Sequence, residues 1–284
     1  MNNFITRSLT AIVFGAVVIV GLIFNSWSYL AITGIVLLGS LLEFFKISSP
    51  MYRKDKDHSE LYRNIMIPMA LLFFVLSFYV AQNQINSKYL FLAPIFIAIF
   101  FNIELFLKSA RPFRNIGLNI MALYYVALPL CLIHFVGFTN GQFTGAIVLA
   151  IMFIIWANDS GAYIVGSLIG RKKLLPHVSP NKSIEGFIGG GLFCFLLAYL
   201  NINFLHKLTW FESLTLIKPT TWYLIALVIF LFATMGDLVE SLLKRSLNIK
   251  DSGSILPGHG GFLDRFDAFL FVMPFVVAIV KIFN

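Results

Sequence analysis

Residues 221–245 read "TWYLIALVIFLFATMGDLVESLLKR". The first two thirds are apolar without interruption. A bilayer core of about 30 Å needs roughly 20 such residues in one helix. The run then ends abruptly in Asp237, Glu240, Lys244 and Arg245. On a helix Asp237, Glu240, Ser241 and Lys244 recur at three- and four-residue spacing, so they share one face. This is the pattern of a membrane span whose end carries a polar site.

The rest of the chain repeats the first half of that pattern. Of 284 residues 59% are hydrophobic and only 12% are charged, with 31 Phe and a mean hydropathy of +0.87. Soluble domains are about 45–50% apolar and about 25% charged. Nine apolar runs can be drawn, near 8–25, 28–45, 65–82, 89–107, 116–138, 143–169, 186–205, 221–243 and 266–283. The expected fold is all-α, a polytopic transmembrane helical protein of about nine spans and one integral domain. Within it, 1–140 holds N-terminal helices and 141–284 the transmembrane half with the polar site. The sixth run contains Asn158, Asp159 and Ser160, so it is expected to break or to overshoot the bilayer. The first, with one Arg before its apolar core and no evident cleavage site, reads as a retained helix.

Alternating the sides with the N-terminus inside puts 17 of the 21 Lys and Arg on one face. Only Lys88, Lys207, Lys218 and Lys281 fall on the other. Cytoplasmic loops carry this excess, so the N-terminus and both charged motif regions are expected at the cytoplasm. The net charge of +8 therefore reads as topology, not as nucleic-acid binding. The loop "KISSPMYRKDKDHSELYRN" (46–64) reads as solvated. Cys131 and Cys194 lie inside apolar runs, have no metal-ligand spacing, and read as small buried side chains.

Seven of the 13 acids fall in two zones. The second zone, "SLLKRSLNIKDSGSILPGHGGFLDRFD" (241–267), follows Asp237 and Glu240 and brings Asp251, Asp264 and Asp267, beside Lys244, Arg245, Lys250, His259 and Arg265. Acids at span ends are costly and face a cavity, a partner or an ion. Helix caps and local ion pairs explain one or two of them, not five. Carboxylates without a His/Cys set point to a hard cation such as Mg²⁺. Lys and Arg beside them point to phosphate, and the "PGHGG" turn offers backbone N–H groups to phosphate oxygens. The first zone, "NDSGAYIVGSLIGRKKLLPHVSPNKSIEGFIGGG" (158–191), holds Asp159, a basic triplet, the donors Ser179, Lys182 and Ser183, and Glu185 near a helix start. Gly189, Gly190 and Gly191 read as a close helix contact.

These residues resemble the signature of the phosphatidate cytidylyltransferases, also called CDP-diacylglycerol synthases. The frame is Ser241, Lys244-Arg245, Lys250-Asp251, Pro257, His259-Gly260-Gly261, Asp264-Arg265 and Asp267, without a gap. "NDSGAY" and "SPNKSIEG" resemble other polar segments of that family. Ser183 stands where Thr is usual and Ile184 where an aromatic is common. The N-terminal half matches only in being hydrophobic. The resemblance implies that CTP and phosphatidic acid give CDP-diacylglycerol and pyrophosphate, with Mg²⁺ in a cavity open to the cytoplasm. It implies Asp237 and Asp264 as metal ligands. Catalytic roles would fall to these two with Ser241, Lys244, Arg245, His259, Arg265 and Asp267. Asp159, Ser179, Lys182, Ser183, Glu185, Lys250, Asp251, Gly260 and Gly261 would bind substrate. It also implies a homodimer among membrane lipids, in a bacterial-type inner membrane. The competing readings are a CTP-dependent lipid kinase, which would need a base for a hydroxyl acceptor, and a transporter, whose acids would spread along a pathway. A CDP-alcohol phosphotransferase lacks support, because Ala268 follows Asp267 where a glycine is wanted.

Overall fold

In hydrocarbon every backbone N–H and C=O must bond within the chain, so each apolar run has to close into a helix. The computed structural model describes residues 2–52, 56–249, 251–253 and 260–284, with backbone alone for 2–11 and 56–58. The nine expected runs all emerge as helices. They are α1 (Asn2–Ile23), α2 (Ser26–Ser48), α3 (Lys56–Ala81) and α4 (Ala93–Leu107), then α5 (Pro112–Gly137). After these come α6 (Gly145–Ile169), α7 (Ile184–Asn203), α8 (Pro219–Ser246) and α9 (Leu263–Phe283). Eight of the described helices are long and apolar enough to cross a membrane. The protein is an all-α integral membrane protein. In α1 the described apolar segment is shorter, Ile12–Ile23.

One expectation changes and another narrows to one of its two alternatives. The polar stretch at 46–64 is not one long loop: α2 runs on to Ser48, a short 3₁₀ turn follows (Ser49–Tyr52), and α3 starts at Lys56. The sixth run is not broken at Asn158-Asp159-Ser160. α6 is continuous for 25 residues, about 37 Å at ~1.5 Å per residue, and so overshoots a core of about 30 Å.

Local chemistry sets the junctions. Asn25 caps α2, its Oδ1 accepting from the N–H groups of Trp27 and Ser28. The α5–α6 link is a hairpin of β1 (Phe138–Thr139) and β2 (Gln142–Phe143). Its turn, Asn140-Gly141, has φ of +52° and +80°, the left-handed pair that a two-residue hairpin requires. A second hairpin, β3 (Lys173–Leu175) with β4 (Ser179–Ser183), links α6 to α7 and carries Lys182.

The first half of α6 is buried through Ile147, Val148, Leu149, Ala150, Ile151 and Ile154 and forms the axis of the core. α7 and α8 pack beside it, and α9 packs along α8. The glycines at 189–191 meet Val165, Asn158 and Phe230, the close contact their composition suggests. Outward-facing Phe91, Leu105, Phe106, Leu168 and Leu192 are exposed, as suits a lipid-facing surface. Cys131 and Cys194 are free and buried.

Candidate active site

The charged face of α8 forms as its spacing predicts. Ser241 Oγ donates to Asp237 Oδ1 at 3.3 Å, and Lys244 pairs with Glu240, each one turn apart. What turns a helix face into a site is α9. At Gly236 the two helices touch: a Cβ there would lie 2.7 Å from Phe271 Cβ and 3.0 Å from the Asp267 carbonyl oxygen. This approach brings Asp267 to the acids of α8. Carboxylate oxygens of Asp237, Glu240 and Asp267 lie within 4.8 Å of one another. Lys182 reaches over from β4 and pairs with Asp237. Asp159, on α6, lies within the electrostatic reach of Lys182, Asp237 and Arg265.

Asp264 stands outside this trio and is tied to it by a lysine. Lys244 Nζ donates to Asp264 Oδ1 at 2.7 Å while it pairs with Glu240. The other oxygen, Oδ2, accepts from the Ser252 N–H at 2.9 Å, the Ser252 hydroxyl at 2.9 Å and the Gly261 N–H at 2.8 Å. The two acids that the resemblance makes metal ligands are therefore placed differently. Asp237 sits among acids, whereas Asp264 already accepts four hydrogen bonds and folds the signature loop around itself. Gly260, at φ +80°, has to be glycine for a second reason: a Cβ would fall 2.6 Å from Asp264 Oδ2.

The loop is also held from the other half of the chain. Glu43, on α2 and 3% exposed, accepts from the Leu263 N–H at 3.0 Å, and its Oε2 lies 3.2 Å from Ser252 Oγ. The Ser252 hydroxyl thus sits between Glu43 and Asp264. Gly253 and Gly261 pack directly on the Glu43 carboxylate, and Phe262 packs on Gly39. Glu43 grips both described ends of the loop.

Other expected residues take local duties. Ser183 caps α7, its Oγ accepting from the Gly186 N–H at 3.1 Å. Glu185 turns back to accept from the N–H groups of Arg171 (3.0 Å) and Lys172 (3.2 Å), which closes the β3–β4 hairpin onto α7. Ser179 opens β4 opposite Leu175. Arg245 and Asp251 are exposed. Lys250, Pro257, Gly258 and His259 lie outside the described residues.

Two participants go unnamed in the sequence reading, Glu43 and Ser252, and a third, Glu240, is named there only as an acid of the charged face. Glu240 shares the charged face, and its spacing was visible. Glu43 carries a signal of its own, an acid inside the apolar run 28–45, where an unpaired charge is expensive. Ser252 carries none that a single chain displays, since only its folded contacts single it out.

The model of the cytidylyltransferase family matches residues 5–283. A Bacillus subtilis (strain 168) phosphatidate cytidylyltransferase is 41% identical over 180 residues, 62% of each chain. The phosphatidate cytidylyltransferase of Staphylococcus aureus (strain COL) is 42% identical over 170 residues, 59% of this chain and 60% of the other. That of Staphylococcus epidermidis (strain ATCC 12228 / FDA PCI 1200) is 41% identical over 171 residues, 59% of this chain and 60% of that protein. The aligned region spans about three fifths of these relatives' length.

Proposed function

Because the chain belongs to the cytidylyltransferase family, we propose that it transfers the cytidylyl group from CTP to phosphatidic acid, giving CDP-diacylglycerol and pyrophosphate. The observation that carries the reading is the site itself: three carboxylates converge at one end of the helix bundle with Lys182 and Lys244 paired to them. Such a site suits anionic phosphates accompanied by a metal ion. The names borne by the Bacillus and Staphylococcus relatives support the choice of substrates.

The chemistry explains the residue types. A phosphate oxygen of phosphatidic acid attacks the α-phosphorus of CTP, a P–O bond forms, and the bond to the departing pyrophosphate breaks. The nucleophile is already anionic, so no strong base is needed. The obstacle is bringing two polyanions together in line, which requires charge neutralisation and fixed geometry. Lys182, Lys244 and Arg265 would neutralise phosphate oxygens, with the exposed Arg245 guiding the nucleotide in. The Gly261 N–H is already committed to Asp264, so Asp264 shapes the loop that meets the phosphates.

The donor set fits Mg²⁺. A hard cation takes oxygen ligands, and Asp237, Glu240 and Asp267 offer one each within 4.8 Å. Glu240 Oε1 is buried with no hydrogen-bond partner. These three would hold the ion, with Asp264 positioning Lys244 beside them. Mg²⁺ would supply charge stabilisation to the reacting phosphates and the leaving pyrophosphate.

The site would open to the cytoplasm, where the basic loops gather, and the membrane would be a bacterial inner membrane. Phosphatidic acid would enter from the bilayer and CTP from solution. The test is pyrophosphate release by the purified protein in detergent micelles. Release should need CTP, phosphatidic acid and Mg²⁺ together, and Asp267→Asn should lower it at least 100-fold. Release that ignores phosphatidic acid, or an Asp267→Asn variant as active as the parent, would contradict the proposal.

A further inference from the structure

The N-terminal half contributes more than a scaffold, and α5 shows where. Pro129 has no N–H, so the Tyr125 carbonyl four residues earlier lacks its α-helical donor. The helix responds by widening over Ala122–Ala127 into a π turn, in which the Leu128 N–H donates to the Leu123 carbonyl five residues back. Single π turns of this kind concentrate at functional sites. This one packs against α9, the helix that carries Asp267.

Tyr125 lies in the turn. Its hydroxyl is buried and has no hydrogen-bond partner. The charged groups that act on it are the carboxylates of Asp267, Glu240 and Asp237, the same trio that α8 and α9 assemble. A buried hydroxyl without a partner is a net cost to folding. Phenylalanine would fill the same space without that cost. The hydroxyl is a buried donor on the turn that packs against the Asp267 helix, within the field of the acids and bonded to none of them. An acceptor that arrives at the trio with a ligand would complete it, and the acceptor chemistry suited to a carboxylate trio is a metal-bound phosphate oxygen.

We propose that Tyr125 is a further catalytic residue of this site, its O–H donating to a phosphate oxygen of CTP held at the trio of Asp237, Glu240 and Asp267. The inference rests on the nucleotide-binding reading above and deepens it. The hydroxyl stays protonated and moves no proton: it positions the phosphate and adds a neutral donor where the flanking cations already lie on carboxylates.

The variant to make is Tyr125→Phe, purified in detergent beside the parent. Two readouts are needed. The first is thermal stability with and without Mg²⁺ and CTP, in the absence of lipid acceptor. The second is kcat/KM for CTP with phosphatidic acid. The expected result is a ligand-free Tm equal to or above the parent's, a smaller Mg²⁺–CTP stabilisation, and kcat/KM reduced about 10- to 100-fold, as for loss of one hydrogen bond to a charged group. A lower ligand-free Tm would overturn the proposal, because the hydroxyl would then be structural. Kinetics and nucleotide stabilisation like the parent's would overturn it as well. Lipid-free stabilisation separates this idea from the acceptor assignment. If the parent binds Mg²⁺–CTP yet ignores phosphatidic acid, only the acceptor reading fails. If the parent gains no stability from Mg²⁺–CTP, Tyr125 has no nucleotide to meet and the inference falls too.

Discussion

Lys244 holds two carboxylates at once, Glu240 at 1% and Asp264 at 7% side-chain exposure. Removing the partner of a buried charge costs about 3–5 kcal/mol, more than the pair itself contributes. Lys244→Met should therefore lower Tm sharply in detergent as well as abolish transfer. Adding Glu240→Gln should recover part of the lost stability without restoring activity, because one stranded charge is gone and a proposed ligand with it. Independent, additive losses in the two variants would show that the pair is not coupled as the geometry requires. Glu43 makes a similar point at a distance of more than two hundred residues. Glu43→Ala strips an acceptor from the Leu263 N–H and leaves the Ser252 hydroxyl with Asp264 alone. Each buried group left unbonded costs about 1–3 kcal/mol. Glu43→Gln keeps an acceptor oxygen and should retain most of that stability, as thermal unfolding of the two variants will show.

At the scale of elements, the sequence displayed the helices well, because a bilayer demands a length and an apolarity that no other element satisfies. It displayed the charged face of α8 too, since a period of 3.6 residues puts Asp237, Ser241 and Lys244 in register. It did not display which acids would meet. Asp264 and Asp267 are three residues apart on one helix, yet Asp267 joins the acids of α8 while Asp264 turns into its own loop. That division is made by tertiary contacts: the Gly236 approach of α8 to α9, and Glu43 beneath Gly253 and Gly261. Neither leaves a trace in spacing. Nor does spacing reveal that Ser183 and Glu185 are engaged in capping α7 and closing a hairpin, where a polar motif alone suggests substrate. Gly236→Val tests the first contact. Branched carbon at this point has to push α9 outward, since a Cβ already falls 2.7 Å from Phe271 Cβ. The Mg²⁺ concentration for half-maximal activity should rise at least 10-fold. An unchanged Mg²⁺ requirement would mean that the Asp237–Asp267 approach does not form the ion site.

Across the whole molecule, the ends of α2 and α8, the start of α9 and the β3–β4 hairpin meet at one site. Those ends are the ones the charge count assigns to a single face. The division into N-terminal helices and a catalytic half at 141–284 was drawn from where the motifs lie. The contacts show why motif position understates the first half: Glu43 anchors the loop, and the π turn that carries Tyr125 packs against the Asp267 helix. A chain beginning at 141 should therefore be inactive even if it inserts, and co-expression with 1–140 should restore transfer, because the hairpin turn at 140–141 is a surface connection. Activity of the 141–284 fragment alone would show that the first half is dispensable. The most direct measurement of the central claim follows the phosphorus atoms of CTP. The purified protein is incubated with Mg²⁺ and phosphatidic acid, and with either α-³²P or γ-³²P CTP, and the lipid phase is counted. The α label should enter the lipid and the γ label should leave as pyrophosphate. Label from the γ position in the lipid, with none from α, would make the protein a CTP-dependent kinase and rule out cytidylyl transfer.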